Sequence, residues 1–249
     1  MTLSKRLQAV SSLVSPGKRL ADIGTDHGYV PISLVESGRI PMAIAMDVRE
    51  GPLNRAREHI RIAGLEDRIQ TRLSDGMEHL MPGEVDTVLI AGMGGALMVR
   101  ILEGGERLFL PPGKIRDGLS SAEKGAWISE LVLQPQSEVS KVRRYLADHF
   151  FRIEWEDMVL EDGKYYPMMR ARRGEMHLGE LEVKYGPSLL KMQHPILRSY
   201  LSFERGTLLK AFAGLQKSVS EKAAVQREDC LHALRLNREA AGRTSFKPL

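Results

Sequence analysis

Short apolar runs alternate with segments of helical spacing along the first two thirds of the chain. The runs have the length and composition typical of strands, and the intervening segments carry apolar residues every three or four positions, which predicts amphipathic helices. The predicted strands span residues 20–23, 42–48, 69–73, 87–91 and 130–133, and the predicted helices span residues 29–36, 52–63, 96–102 and 138–149. Strands that alternate with helices in this way predict five parallel β–α units.

A hairpin is predicted at the end of this region. Two further runs, residues 151–159 and 165–171, are separated by a segment that contains Asp162-Gly163, a strong hairpin-turn signal. A hairpin would add an antiparallel strand to the end of the sheet. The predicted fold is therefore α/β: a Rossmann-like, doubly wound, seven-stranded sheet with an antiparallel terminal strand.

The pattern after the hairpin is helical. Strand signals end, and leucines and other apolar residues follow helical spacing over residues 187–240. We expect two long helices, with a break near Gly206 or Gly214, that form a helical hairpin or a coiled-coil arm. The sequence thus predicts two domains, an α/β domain of residues 1–174 and a helical arm of residues 175–249.

One segment has no clear periodicity. Residues 104–125 contain Pro111-Pro112-Gly113 and form a long insertion between a predicted helix and the next predicted strand. Long loops of this kind are often lids or disordered segments, and we expect one of these two states here.

Composition places the chain among globular proteins. With 249 residues, the chain is long enough to bury a full core. Its content of 43% hydrophobic and 27% charged residues is typical of a globular protein. Residues 87–99 lack charge but number only 13, whereas a membrane span needs roughly 20, so we expect no membrane span; we also expect no secretory signal at the N-terminus. Cys230 is the single cysteine, so an internal disulfide is excluded and a cytoplasmic location is predicted.

The net charge of +4 is unevenly distributed. Residues 1–160 carry 20 Lys+Arg against 22 Asp+Glu, a net charge of −2, whereas residues 161–249 carry 16 against 10, a net charge of +6. A neutral first part and a basic last part favour chemistry in the first and contact with a polyanion in the second. The alternative is an ordinary solvated basic helix surface.

The first predicted strand leads into Asp22-Ile23-Gly24-Thr25-Asp26-His27-Gly28. Glycines at such a turn let a ligand approach the backbone closely. The dinucleotide pattern G-x-G-x-x-G is absent, and Asp26 would repel a pyrophosphate, which disfavours a nicotinamide dehydrogenase. A carboxylate here suits a cation instead, such as the amino group of a methionine moiety, and Asp22 can help to hold that group. The alternative is a plain β–α turn.

Acidic residues also follow the next two predicted strands. Asp47 ends the second, where a carboxylate can accept both hydroxyls of a ribose, and Asp75-Gly76 follows the third, where it can accept from an adenine amino group. Taken singly, Asp75 is equally consistent with a helix N-cap. The conjunction of acidic or glycine-rich positions at four successive strand ends predicts a ligand site at that edge of the sheet.

The fourth predicted strand runs into Ala91-Gly92-Met93-Gly94-Gly95, which leaves backbone groups bare at the centre of the sheet. The Asp/Asn-Pro-Pro-aromatic block that methylases of exocyclic amines place here is absent. Methylation of a ring carbon uses a cysteine nucleophile, and Cys230 lies in the helical tail. If the chain methylates a nucleic-acid base, these two absences disfavour an exocyclic amine and a ring carbon as the methyl acceptor and favour a ring nitrogen.

Together these stretches resemble the bacterial tRNA (adenine(22)-N1)-methyltransferase family, which comprises class I S-adenosylmethionine-dependent enzymes with a helical C-terminal arm. The resemblance covers nearly the whole chain, with two departures: Gln136 occupies a position where the family more often has asparagine, and residues 104–125 are longer than usual. The stretches that carry it are residues 3–7, 21–31, 91–95, 133–135 and 186–195.

The resemblance implies S-adenosylmethionine as cofactor and tRNA as partner, and it implies the following roles. The methionine part of the cofactor is held by Asp22, Gly24, Thr25, Asp26, His27 and Gly28; the ribose by Asp47 with Val48; the adenine by Asp75 and Gly76; and the floor below the sulfonium is formed by Ala91, Gly92, Met93, Gly94 and Gly95. The catalytic candidates are Asp26, His27 and Tyr29. The RNA-binding candidates are Lys5, Arg6, Lys191, Arg198, Arg205, Lys210 and Lys217.

The predicted reaction is direct in-line methyl transfer to N1 of adenine 22 of tRNA, without a covalent enzyme intermediate. Asp26 is a candidate acceptor for the amino group of the target adenine, while His27 and Tyr29 can clamp or stack on the base; structural roles in the turn and in cofactor packing are the alternatives. Another RNA site, a small-molecule or protein substrate, and an RNA-binding module with a degenerate nucleotide fold remain open. We expect a monomer without metal or membrane association.

Overall fold

The computed structural model of the protein describes residues 3–109, 127–216 and 220–244. The chain divides into two compact units, Met1–His177 and Leu178–Leu249, against a boundary after residue 174 in the sequence prediction. Most of the predicted insertion, from residue 110 onward, lies outside the described residues, so its expected lid or disorder stays a prediction.

Within the described residues, the first unit contains seven strands that form one sheet. They are β1 (Leu20–Ile23), β2 (Ala43–Asp47), β3 (Ile69–Leu73), β4 (Thr87–Gly94), β5 (Glu130–Ser137), β6 (Phe151–Glu161) and β7 (Lys164–Arg173). The order is β3-β2-β1-β4-β5-β7-β6, with β1 to β5 parallel and β7 antiparallel to both of its neighbours. The predicted doubly wound sheet is therefore confirmed.

The antiparallel strand does not lie at the edge of the sheet. The tight turn at Asp162-Gly163 returns the chain beside β6, and β7 fills the place between β6 and β5. The two-residue turn makes β6 and β7 neighbours, and since β7 is the one that pairs with β5, β6 becomes the edge strand.

Helices cover both faces of the sheet. They are α1 (Lys5–Leu13), α2 (Tyr29–Glu36), α3 (Glu50–Ile62), α4 (Gly95–Gly104) and α5 (Val139–Asp148), with a short 3₁₀ helix at Glu106–Leu108. The prediction of five β–α units is wrong at the third, because residues 74–86 between β3 and β4 form turns. This segment contains Gly76, Pro82 and Gly83, which interrupt a helix, yet it still buries Met77 and Leu80 in the core.

The central strands are buried on both faces. Along β1, Leu20 packs into the cluster that includes buried residues of α1, α2 and α3, and Ala21 packs into the cluster that includes buried residues of α4 and α5. The same alternation places Ala45 and Met46 of β2 on opposite faces. A strand between two helix layers needs apolar residues at every position, which explains why these runs read as continuously hydrophobic.

The amino-terminal edge of the sheet is held by a buried carboxylate. Glu130, at the start of β5, is 1% exposed and accepts hydrogen bonds from the backbone and hydroxyl of Ser15, from Thr87 and from Arg172. Burial favours the protonated form, but the bonds from Ser15 and Arg172 outweigh it and hold the pKa of Glu130 below its usual value. Glu130 thereby joins β5 to β4, to β7 and to the segment before β1 at this edge.

Helices make up the described part of the second unit. They are α6 (Glu180–Tyr185), α7 (Pro187–Lys191), α8 (Pro195–Leu215) and α9 (Glu221–Arg243). The two long helices run antiparallel, since Asn237 donates to the carbonyl of Leu201 at 3.0 Å and the Cys230 thiol donates to the carbonyl of Leu208 at 3.2 Å.

The predicted break near Gly214 is confirmed, because α8 ends one residue later. The alternative break at Gly206 is wrong, since that glycine lies inside α8. A single glycine costs a helix only about 1 kcal/mol, and packing against the neighbouring helix offsets that amount.

Candidate active site

The turn between β1 and α2 is built on residues with positive φ. Gly24, Asp26 and Gly28 have φ values of 75°, 50° and 71°. The backbone N–H groups of Gly24 and Thr25 both donate to the carbonyl of Met46 on β2, at 2.8 and 2.9 Å. The turn is therefore tied to the end of the neighbouring strand, which exposes its backbone toward the cleft described below.

Asp22 is a buried carboxylate near the carboxyl end of β1, just before this turn. It is 5% exposed, and its Oδ2 accepts a hydrogen bond from the Thr25 hydroxyl at 2.7 Å. Burial raises the pKa of Asp22 to about 6; the bond from Thr25 opposes the shift, and the nearby charge of Asp47 adds to it. A carboxylate in this state is stabilised by a bound cation.

Asp26 points to a different partner. Its Oδ1 accepts from Arg55 of α3 at 2.8 Å, and its Oδ2 lies 3.5 Å from Nε2 of His27. Its side chain is 60% exposed. Sequence reasoning missed Arg55, because nothing in the local pattern shows that this residue of α3 faces the turn.

Three aromatic rings stack beside the turn. The rings of His27 and Tyr29 lie 5.0 Å apart with an interplanar angle of 14°, and His59 of α3 stacks on both, at 5.6 and 5.1 Å. The Nδ1 atom of His59 lies 2.9 Å from the backbone oxygen of His27, and Nδ1 of His27 is buried without a hydrogen-bond partner among the described residues. His59 was absent from the sequence-based candidates, since it lies 32 residues from His27 along the chain.

The ends of β2 and β3 place the next two acidic candidates. Asp47 is 7% exposed, and its Oδ1 accepts from the backbone N–H of Arg49 at 3.0 Å, while Val48 is 58% exposed. Asp75 is exposed, and the helix N-cap alternative for it is wrong because no helix begins there among the described residues. Gly76 is buried, and a β-carbon on it would lie 3.1 Å from Cγ2 of Ile101.

The glycine-rich stretch continues β4 and then starts α4. Gly92, with φ of 79°, faces the cleft, whereas Met93 bends back so that its terminal methyl lies above Gly24. A β-carbon on Gly95 would lie 2.6 Å from the carbonyl oxygen of Glu138. The absence of a side chain at Gly95 therefore lets the first turn of α4 pack closely against the beginning of α5. Glu138 in turn accepts from the backbone N–H of Ala96 at 3.1 Å.

A cleft of about 310 Å³ lies between the β1–α2 turn and the end of β4. Its lining residues are Arg6, Leu7, Asp22, Gly24, Thr25, Asp26, His27, Tyr29, Val30, Ala91, Gly92 and Gln136. Eight of these were sequence-based site candidates for the cofactor or for catalysis. Candidates that do not line it are Gly28, Asp47, Val48, Asp75, Gly76, Met93, Gly94 and Gly95.

Arg6, an RNA-binding candidate, lines this cleft. Its Nη1 donates to Oε1 of Gln134 at 2.8 Å, and its guanidinium carbon lies 5.5 Å from the centre of the Tyr166 ring. Lys5 next to it is exposed, and its Nζ lies 3.5 Å from the carbonyl oxygen of Leu160. The start of α1 therefore contributes to the cleft itself.

The other basic candidates belong to the second unit. Lys191, Arg198, Arg205 and Lys210 are exposed, and Lys217 lies outside the described residues. Arg198 and Arg205 lie two turns apart on one face of α8 and line a groove of about 430 Å³, which is closed on its other side by residues of α9 such as Asn237 and Ala241. Lys210 is on another face of α8.

The described residues contain no cluster of histidine, cysteine and carboxylate side chains arranged to bind a metal ion. Among the helices covered by the same residues, none combines the length and the apolar character that crossing a bilayer requires.

Comparison with known proteins identifies relatives over most of the chain. A family model described as a methyltransferase domain matches residues 3–169. The tRNA (adenine(22)-N1)-methyltransferase of Bacillus subtilis is 35% identical over 175 residues, which are 70% of this chain and 67% of that protein.

Solved structures extend the similarity to the second unit. A Streptococcus pneumoniae protein in complex with S-adenosyl-L-methionine is 34% identical with a TM-score of 0.81, over 96% of this chain and 100% of that one. M. capricolum TrmK in complex with S-adenosyl-homocysteine is 26% identical with a TM-score of 0.78, over 98% and 100% of the two chains. The fold, the site and these relatives agree, and the chain belongs to the tRNA (adenine(22)-N1)-methyltransferase family.

Proposed function

We propose that this protein transfers a methyl group from S-adenosylmethionine to N1 of adenine 22 in tRNA. The observation that carries the proposal is the cleft at the carboxyl ends of β1 and β4, where a buried carboxylate, bare glycine backbone and stacked aromatic rings meet. Family membership supports the same reaction.

The residues at the cleft fit this cofactor. S-adenosylmethionine supplies, when bound, a methyl group on a cationic sulfonium, together with an ammonium group and a ribose. Asp22, which is buried and whose pKa is raised, suits the cationic part, and Thr25 and Gly24 would hold the methionine backbone. The other candidates lie at the ends of β2 and β3, outside the lining of the cleft. Asp47 would take the ribose hydroxyls through Oδ2, since Arg49 donates only to Oδ1, and Asp75 and Gly76 remain the candidates for the adenine ring.

The chemistry asks little of acid or base groups. Adenine N1 has a free lone pair, so no proton has to leave before the attack, and alignment with exclusion of water can lower the barrier by roughly 7–11 kcal/mol in ideal cases. The rings of His27 and Tyr29 form one wall of the cleft, on which a flipped-out base can stack. Asp26, paired with Arg55, orients the turn that carries both rings.

The second unit supplies the grip on tRNA in this proposal. Arg198, Ser202 and Arg205 line one groove, and a groove with two guanidinium groups suits the phosphates of a folded RNA, which proteins recognise largely by shape. A monomeric state and a cytoplasmic location stay predictions.

The test is incubation with labelled S-adenosylmethionine and total tRNA, followed by nucleoside analysis. We expect label in 1-methyladenosine, and a tRNA transcript with guanosine in place of adenosine at position 22 should take up none. Label in 6-methyladenosine or 5-methylcytidine would contradict the assignment to a ring nitrogen of adenine.

Asp47 provides a first prediction. Asp47→Ala removes the acceptor for two ribose hydroxyls, and since hydrogen bonds to a charged group contribute about 1.5–3 kcal/mol, the Kd for S-adenosylmethionine should rise roughly 10- to 100-fold. Calorimetric titration measures this. Asp67→Ala, which removes an exposed carboxylate in the turn just before β3, is the control and should bind normally. An unchanged Kd for Asp47→Ala would remove that residue from the ribose site.

Asp22 provides a prediction on pH. Its pKa of about 6 in the free protein means that cofactor binding below that pH must expel a proton, so affinity should fall by about tenfold in total between about pH 7 and about pH 5, with most of the fall below about pH 6. Calorimetry between about pH 5 and about pH 7 measures the slope. Because His27 also lines the cleft, Asp22→Asn is the control: it should bind more weakly and without this slope. A slope that persists in the variant would assign the proton to another group.

A further inference from the structure

We propose that Gln136 reads the target base: its Oε1 accepts from the N6 amino group of adenine and its Nε2 donates to N7, so that N1 points to the methyl group. The proposal rests on the proposed function and deepens it, since it names the residue that makes the site specific for adenine. It starts from an irregularity in the pairing of β4 with β5.

Both strands carry one extra residue at the same level of the sheet. Ala91 pairs with Gln134 and Met93 pairs with Pro135, which leaves Gly92 unmatched on β4. Gly94 then pairs with Ser137, which leaves Gln136 unmatched on β5. Extra residues of this kind bend a strand and redirect a side chain, and they are common beside active sites.

The two unmatched residues meet at the cleft. A β-carbon on Gly92 would lie 3.7 Å from Nε2 of Gln136, and both residues line the cleft. Positive φ at Gly92 and the missing side chain leave room there for a flat base. Gln136 thus faces the cleft across the end of the central strand, close to where the transferred group has to sit.

The carboxamide of Gln136 has no hydrogen-bond partner among the described residues, and the residue is exposed. Gln134, two residues earlier, shows the contrast: it is fully buried, accepts from Arg6 at 2.8 Å and donates to the carbonyl of Pro135 at 3.1 Å. One glutamine is therefore committed to the fold, and the other is available to a ligand.

The acidic residues that line the cleft already have partners. Asp26 is paired with Arg55 at 2.8 Å, and Asp22 is bonded to Thr25 at 2.7 Å. Gln136 carries the one carboxamide among the described residues that line the cleft, and a carboxamide matches the donor at N6 and the acceptor at N7 of adenine. Guanine presents acceptors at both positions and cannot satisfy Oε1.

The same contact assists the transfer. N1 forms the new bond to the methyl carbon while the carbon–sulfur bond breaks and its electron pair stays on sulfur, so the adenine ring gains the positive charge. That charge spreads to N6, and a hydrogen bond from N6 to Oε1 of Gln136 is therefore stronger in the transition state than in the bound substrate.

The test combines a side-chain change with an atomic change in the substrate. The substrate is tRNA with adenosine or 7-deazaadenosine at position 22, and the variants are Gln136→Met, which keeps the length but loses both polar atoms, and Gln8→Met, a control at an exposed glutamine of α1. The quantity measured is kcat/KM for methylation, together with the Kd for S-adenosylmethionine. A charge-neutral change at an exposed residue should leave folding intact.

For the wild type, we expect 7-deazaadenosine to lower kcat/KM by about fivefold to tenfold, since it removes the acceptor at N7. Gln136→Met should lose roughly tenfold to a hundredfold on adenosine, show no additional loss on 7-deazaadenosine, and bind the cofactor normally. Gln8→Met should behave as the wild type on both substrates.

Two outcomes would overturn the inference. The first is an equal kcat/KM of the wild type on adenosine and 7-deazaadenosine. The second is a kcat/KM of Gln136→Met on 7-deazaadenosine that is lower than on adenosine by the same factor as in the wild type. Both leave the proposed function standing if 1-methyladenosine still forms on normal tRNA. Absence of 1-methyladenosine with the wild type would instead refute the proposed function itself.

Discussion

Replacing Arg143 by methionine lowers the free energy of unfolding by about 3–5 kcal/mol, the largest stability effect we expect from a single substitution. Arg143 of α5 and Glu156 of β6 form an ion pair of 2.8 Å whose side chains are 2% and 0% exposed. Removal of the cation leaves a carboxylate in the core with its counter-charge gone, and the cost of that burial is much larger than the strength of the pair itself.

Urea unfolding followed by tryptophan fluorescence measures this effect, since Trp155 precedes Glu156 on β6. The double variant Arg143→Met/Glu156→Leu should recover most of the loss, because an apolar pair needs no desolvation of charge. Arg61→Ala, which breaks the exposed pair with Glu58, is the matched control and should cost less than about 1 kcal/mol. A loss for Arg143→Met as small as that of the control would show that the pair contributes little.

Charge reversal at Arg198 and Arg205 weakens tRNA binding by at least about a hundredfold and leaves the Kd for S-adenosylmethionine unchanged. Each arginine in the groove of α8 and α9 would donate to a phosphate, and each such bond contributes about 1.5–3 kcal/mol. The weakening should also reduce the salt dependence of tRNA affinity, because fewer counterions are released on binding.

Single variants assign the effect. Arg198 also donates to the carbonyl of Thr244 at 3.0 Å, so its replacement changes the hairpin as well as the surface. Arg205→Glu is the cleaner probe, since Arg205 is exposed and has no partner among the described residues. Lys222→Glu, an exposed charge reversal at the start of α9, is the control. Equal tRNA affinities for Arg205→Glu and Lys222→Glu in a filter-binding titration would rule out this groove as the grip.

The regular parts of the fold could be predicted because their signals are local. A strand between two helix layers is apolar at each position, as at Leu20 to Ile23, and an amphipathic helix repeats every three or four residues. The hairpin turn at Asp162-Gly163 is equally local. Such signals need only the residues of the element itself.

The errors in the fold have a local and a distant source. Gly76, Pro82 and Gly83 interrupt a helix in residues 74–86, and Arg107 from beyond α4 then holds that segment by donating to the carbonyls of Glu78 and Leu80 at 2.8 and 3.1 Å. The position of β7 inside the sheet likewise depends on which edge of β5 is free, and the spacing of apolar residues carries no information on that.

Some residues of the candidate site could be predicted from the sequence, and others could not. The chain's pattern of strands and turns was sufficient to bring Asp22, Gly24 and Gly92 to one edge, because the carboxyl ends of parallel strands must coincide. Tertiary structure alone paired Asp26 with Arg55, stacked His59 on Tyr29, and placed Arg6, an RNA-binding candidate, at the wall of the cleft. The register of β4 against β5 also left Gly92 and Gln136 unmatched, which places Gln136 at the cleft. These features join residues that are far apart in the chain. Their geometry follows from packing and strand register, which local composition does not specify.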